Sequence, residues 1–445
     1  MFLNSILSLL QNKLSPIYQK SYVLKNIDWL IFVSIILTIL LSGCLSSDAI
    51  GYFALFSIFL TFIKILFKPN EKFILSNSDK FLLIYFLLVI ISVAGSSLFL
   101  LSLKGFLKTC IYLGFYISFI HYLKDNRDKL KYILLAISLV VVGESFIAIK
   151  QNFLSVPEIS SWQDMSRLNP EQVMTRVYGS LKPYNPNLFG GYMLAALPAV
   201  LTLLFIPLIN KHKKTALVGL IFFILAAIAI ILTGCRGAYI GLFAEIITFL
   251  ILTYKFLKPT YKKIFLYLAS IFSFMSFIII SLTSSLRARV ISIFAMRADS
   301  SNSFRFNVYN SCLEMFKDNW LLGIGVGNQN FREIYGLYMK TGFDALSAYN
   351  IYLETALESG IFALLAFLCF IVFNLYRAIK YIYKRNNIKA IYLAIAVMSI
   401  TGILIHGLVD TVFFRPQIQF IFWIMMGIIR VYTSSWGKNG IKRKN

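Results

Sequence analysis

The chain has 445 residues, 58% of them hydrophobic and only 14% charged, with a formal net charge of +24. A soluble globular chain carries about 25% charged residues, so this composition excludes an ordinary water-soluble enzyme, and the apolar content excludes a disordered chain. The lysine and arginine surplus imitates a nucleic-acid binder, but that reading needs a basic domain in water, and no soluble domain is evident.

A basic stretch with Lys13, Lys20 and Lys25 precedes the first long apolar run, Trp29 to Leu45. It lacks the cleavage pattern of a signal peptide and is expected to be a retained span. Further runs follow at about 49–67, 81–97, 104–122, 132–152, 185–209, 215–234, 237–254, 262–283, 349–376, 388–409 and 416–434. At roughly 20 residues per span, these runs predict an all-α polytopic membrane protein of about twelve transmembrane helices. Residues 1–445 form a single membrane domain on this reading.

Lysine and arginine crowd into alternate connections: Lys124 to Lys131, Lys211 to Lys214, Lys255 to Lys263, Arg377 to Lys389, and the tail with Lys438, Lys442, Arg443 and Lys444. The intervening connections are mostly short and nearly uncharged. By the positive-inside rule, both termini are expected in the cytoplasm, which requires an even number of spans. The expected location is the inner (cytoplasmic) membrane, with the positive excess facing anionic lipid and no nucleic-acid partner.

Two long outer connections remain, at about 152–184 and 284–348, the second lying between helices 9 and 10. A connection that long is unusual unless functional. Within it Arg305, Tyr309, Leu313 and Phe316 fall at helical spacing, with Ser303 as expected N-cap. Gly323, Gly325 and Gly327 punctuate a turn before a second helix opening at Asn328. The glycines imitate a phosphate loop, yet no strand precedes them, and a tight turn between two helices is the favoured reading. The long connection is thus expected to be a partly helical extracytoplasmic cap.

The five cysteines (44, 110, 235, 312 and 369) are scattered without a CxxC pair, so neither a disulfide framework nor a metal site is expected. Histidine is limited to His121, His212 and His406. His406 and Asp410 stand at i, i+4, and Asn350, Glu354 and Glu358 at i, i+4, i+8, which places each set on one helix face. Glu144 and Glu245 fall inside spans, where an ionisable group is costly; packing roles and catalytic roles are both open for these groups.

Three stretches carry a family resemblance: TGCRGAYIG at 233–241, the Phe304–Phe331 segment with Arg305 and GIGVG, and AYNIYLETALESG at 348–360. Together they resemble the O-antigen ligase and Wzy-type polymerase superfamily over about residues 140–430. The Arg176–Asn187 segment is similar to that family's proline–asparagine entry to a span. Residues 345–349, 406–412 and 415–417 resemble a subgroup described as bicarbonate transporters of the IctB family.

The resemblance implies transfer of a glycan from polyprenyl pyrophosphate to an acceptor glycan hydroxyl, at the outer face of the membrane and without a cofactor. Planar guanidinium groups suit a pyrophosphate, and Arg236 and Arg305 stand at the positions of the family's two arginines. Arg176 and Arg415 are further candidates for anion contact. Tyr349, however, stands where the ligases carry a histidine, while the spacing from Asn350 to Gly360 is intact. A phenol, with its pKa near 10, is a poor base. Substitutes for it are Asn350, Glu354, Glu358, His406 and Asp410. The subgroup resemblance implies the alternative of bicarbonate or small-anion transport, with the same arginines attracting the ion.

Overall fold

The computed structural model describes residues 2–69, 71–72, 76–154 and 176–441, and every regular element among them is a helix. In chain order these are α1 (Phe2–Lys20), α2 (Tyr22–Lys25), α3 (Ile27–Leu40), α4 (Ser47–Phe67), α5 (Asn77–Ala94), α6 (Phe99–Asp125), α7 (Leu130–Phe153), α8 (Pro186–Ile209) and α9 (Lys213–Leu232). They continue with α10 (Arg236–Phe256), α11 (Pro259–Leu282), α12 (Ser284–Ile291), α13 (Ser300–Asn319), α14 (Asn328–Tyr335), α15 (Ile351–Lys384), α16 (Ile388–His406) and α17 (Pro416–Ile441). Much of the expected 152–184 connection (residues 155–175) and the tail residues Lys442, Arg443 and Lys444 lie outside the described residues.

Ten of these helices, α4 to α11 with α15 and α16, are long and apolar enough to cross a membrane. The chain is therefore a multi-pass membrane protein. Against the expected twelve, α3 is apolar but only 14 residues long. The 284–348 connection carries α12, α13 and α14 and covers one end of the bundle, here termed the cap side.

Helix starts follow from local chemistry. Asn185 accepts hydrogen bonds from the N–H groups of Asn187 and Leu188, and Pro186 opens α8 where a missing N–H costs nothing. Ser76 and Asp79 form a capping box at α5. The expected cap at Ser303 is corrected: α13 begins one turn earlier, capped by Asp299, which accepts from Asn302 N–H. An aspartate holds a helix N-terminus at least as well as a serine, so the longer helix wins.

The core sits where α8, α16 and α17 meet, and a continuous run from Leu188 to Leu201 of α8 is buried. α8 packs on α7, α9 and α16, α10 on α16, and α15 on α5. By contrast α11 has no buried residue. A helix apolar all round in lipid needs no protein partner.

The far side is closed by ion pairs. Lys64 has a fully buried side chain and pairs with Asp28 at 2.7 Å and Asp125 at 3.0 Å. Lys68 joins Asp28 at 3.2 Å, while Glu71 meets Lys124 at 2.9 Å and His121 at 3.3 Å. Three lysines thus face three carboxylates, tying α3, α4 and α6 together. Burial pushes the Glu71 carboxyl up, but hydrogen bonds from His121 and Lys124 and the charges of Lys64 and Lys124 outweigh it and hold it at about 2.

A depressed carboxylate contributes stability above its unfolded value and loses it as pH falls through the folded value. Glu71→Gln should therefore melt below the wild type near neutral pH in detergent. The gap should close as pH falls from about 4.5 towards 2. Parallel melting curves across that window would contradict this assignment.

Candidate functional site

Between α9 and α10 the chain turns sharply at Thr233, Gly234 and Cys235, with Gly234 at φ +61°. The turn leaves carbonyls pointing away from any helix, and arginines collect on them. Arg176 Nε donates to Thr233 O at 2.8 Å, and Arg289 Nε donates to Gly234 O at 2.7 Å. Arg236, the first residue of α10, pairs with Asp299 at 2.8 Å and donates to Ser292 O at 3.3 Å. Asp299 is thus both the cap of α13 and the counter-charge of Arg236. Burial lowers the Arg176 guanidinium from its usual range. Burial, then the charges of Arg176 and Arg236, lower Arg289 to about 10.

A second chain of contacts leads to Arg305. Arg176 Nη2 donates to Asn187 Oδ1 at 2.6 Å, and Asn187 Nδ2 donates to Asp410 Oδ2 at 3.3 Å. That same carboxylate oxygen lies 3.6 Å from Arg305 Nη2. Among the described residues, four guanidinium groups therefore face two carboxylates, Asp299 and Asp410, and two positive charges are left over. Charges of one sign gathered at a half-buried rim repel one another unless an anion enters among them.

Tyr349 sits at the head of α15 with φ +49°, and its ring lies 5.6 Å beneath the Arg305 guanidinium. Its backbone carbonyl accepts from Tyr309 Oη at 3.1 Å. Burial, followed by the Asp410 charge, raises the Tyr349 hydroxyl above its usual range. The geometry makes this residue a platform for Arg305.

His406 and Asp410 do not form the helical i, i+4 pair expected. α16 ends at His406 with Gly407 as its cap, and Asp410 lies in the turn that follows. One Asp410 oxygen accepts from the N–H groups of Thr411 (2.8 Å) and Val412 (3.2 Å). His406 Nε2 instead stands 3.8 Å from Cys235 Sγ. Gly191 and Gly237 lie so close to the imidazole that a Cβ at either would touch it. Even so, His406 and Asp410 line one small cavity of about 10 Å³, with Gly191, Gly407 and Val412. That is room for about one water-sized group.

The polar stripe of α15 is engaged with backbone. Asn350 caps the helix, accepting from the N–H groups of Tyr352 and Leu353, and donates to Leu408 O at 3.0 Å. Glu354 accepts from Ala348 N–H at 2.9 Å, and Glu358 from Gly327 N–H at 2.8 Å. The glycine turn is spent in the same way. Ile324 N–H donates to Leu357 O at 2.8 Å and Gly325 N–H to Glu358 O at 2.9 Å. These bonds serve a break in α15 at Gly360, where φ is +80°.

The remaining candidates disperse. Glu144 accepts from Ser180 Oγ at 2.5 Å and Ser180 N–H at 2.9 Å, anchoring the connection before α8. Glu245 is buried against Gly402, with no hydrogen-bond partner among the described residues. Arg415 is exposed, beyond the cavity, at the start of α17. Arg289, Asp299, Asn187 and Cys235 complete the site without having been singled out in sequence. Arg287 and Arg289 stand two apart on α12, and only their surroundings separate the exposed one from the half-buried one.

Residues 221–368 match a family model described as O-antigen ligase. The matched stretch runs from α9 through the cap into α15 and contains Arg236, Arg289, Arg305 and Tyr349. It supports the O-antigen ligase superfamily. No curated protein matches the chain.

Gly360→Ala would place a Cβ against the carbonyl of Leu321 and force an unfavourable positive φ on a residue with a side chain. The expected result is a loss of at least about 1 kcal/mol, seen as a lower melting temperature and faster trypsin cleavage within the 284–348 cap.

Proposed function

We propose that the protein transfers a glycan from a polyprenyl-pyrophosphate donor to the hydroxyl of an acceptor glycan, in surface polysaccharide assembly. The observation that carries this reading is the surplus of guanidinium groups around the 233–236 turn and Asp410. In this proposal the chain crosses the inner membrane twelve times with both termini in the cytoplasm, and the cap side faces outward. The O-antigen ligase match over residues 221–368, which include Arg236, Arg289 and Arg305, supports the class of function.

Each group then has a task. Arg236, Arg289 and Arg176 hold the two phosphates, because a guanidinium binds two oxygens at once and stays charged when partly buried. Arg305, seated on Tyr349 and steered by Asp410, neutralises charge that develops on the leaving oxygen. The acceptor O–H enters the cavity beside His406, which takes its proton as the oxygen attacks the anomeric carbon. The bond from that carbon to the pyrophosphate oxygen breaks, and polyprenyl pyrophosphate departs. A histidine on α16 thereby takes the place of the histidine that Tyr349 replaces.

Deleting the gene and resolving surface polysaccharide on a gel tests the class of function. Changed chain length or attachment is expected, and an unaltered profile with lost bicarbonate uptake would overturn it in favour of anion transport. In complementation, Arg236→Ala and Arg289→Ala should each lower transfer by about 100-fold, the effect of roughly 3 kcal/mol of transition-state stabilisation.

His406→Asn should cost at least about 100-fold, the range of a lost general base. Tyr349→Phe keeps the ring under Arg305 and should leave activity within about threefold, since well under 1.4 kcal/mol is lost. The opposite ranking of these two variants would return the base to position 349.

A further inference from the structure

The 412–420 segment has two flanks. One faces the His406 cavity through Val412, Phe413 and Ile418, and the other walls a separate groove through Pro416 and Phe420. This groove has a volume of about 200 Å³ and runs between α4, α6 and α17. Asp48, Tyr52 and Leu55 line it from α4, and Lys108, Ile111 and Tyr112 from α6.

Its depth is set by the helices that frame it. Asp48 lies in the first turn of α4, and Pro416 opens α17, so the mouth stands where spans leave the membrane. Tyr52 is 71% exposed and Leu55 42% exposed, so the groove opens sideways to lipid. Tyrosines at a helix end are typical of the membrane–water boundary. The charges are of both signs. Asp48 on α4 and Lys108 on α6 both line the groove.

We propose that this groove binds a bilayer phospholipid through a zwitterionic phosphate–amine headgroup. The phosphate sits on Lys108, the amine on Asp48, and the upper acyl chain lies along Leu55, Ile111 and Phe420. A lysine within a membrane-crossing helix is costly unless anions meet it, and at that depth a lipid phosphate can meet it beside Asp48. Asp48 then decides the headgroup, because a carboxylate repels a purely anionic lipid and welcomes an ammonium. The site is distinct from the arginine rim and does not depend on which substrate that rim takes.

Native mass spectrometry of the detergent-purified full chain tests this, using dioleoyl phosphatidylethanolamine and dioleoyl phosphatidylglycerol as probes. The wild type should retain the ethanolamine lipid in preference to the glycerol lipid. Lys108→Gln should weaken retention of both by about tenfold, the value of one charge-assisted hydrogen bond. Asp48→Asn should remove the preference while leaving the glycerol lipid bound. Asp48 is exposed, so this variant folds normally, and an unchanged melting temperature checks it. Equal retention of the two lipids by the wild type, or a preference surviving in Asp48→Asn, would overturn the proposal.

Discussion

A guanidinium withdrawn from water has to be met by oxygen, and the cap side of this protein is organised around that demand. Four arginines from the connection before α8, the start of α10, and helices α12 and α13 converge on one rim. Much of what meets them is backbone. The 233–236 turn supplies two carbonyls to Arg176 and Arg289 because it interrupts the helical ladder there. Asp299 and Asp410 supply the only carboxylates in these contacts, and each also holds backbone, as a helix cap or a turn anchor. Among the described residues the charge balance is short by two, and in the proposed function that deficit is what draws an anion to the rim.

The far side of the bundle shows the opposite solution. There Lys64, Lys68 and Lys124 are matched by Asp28, Asp125 and Glu71, so among the described residues each lysine finds a carboxylate. Buried pairs of this kind stabilise little in net terms but punish the removal of either partner. Both ends are rich in basic residues, so composition alone does not separate them. The distinction lies in whether the positive charges find carboxylates within the fold.

The cap is coupled to the bundle through main chain. The break at Gly360 frees the carbonyls of Leu357 and Glu358, and the glycine turn docks its N–H groups on them. Glu358 adds a side-chain acceptor to Gly327 N–H, which clamps the turn to α15. This docking fixes α13 against the head of α15, which in turn sets Arg305 over Tyr349. In the proposed function a tyrosine at position 349 is compatible with transfer, because its ring carries Arg305 and His406, beside Cys235, takes the proton instead.

Hydropathy along the chain was enough to mark the ten helices long and apolar enough to cross a membrane, against twelve expected, and glycine spacing marked the turn between α13 and α14. Each of those follows from local composition and spacing. Arg236 and Arg305 were also legible, through motifs whose order along the chain carries a resemblance. Arg289 and Asp299 were not, because an arginine or aspartate on a polar loop helix looks the same whether it faces solvent or a neighbouring turn. The helical spacing of His406 and Asp410 misled for a related reason: Gly407 ends α16 between them, so their relation is set by the fold around the cavity. Periodicity reports what one element presents to its surroundings. Which carbonyl, carboxylate or ring stands opposite is decided only when elements far apart in the chain pack together, and the balance of charge at the rim depends on that packing.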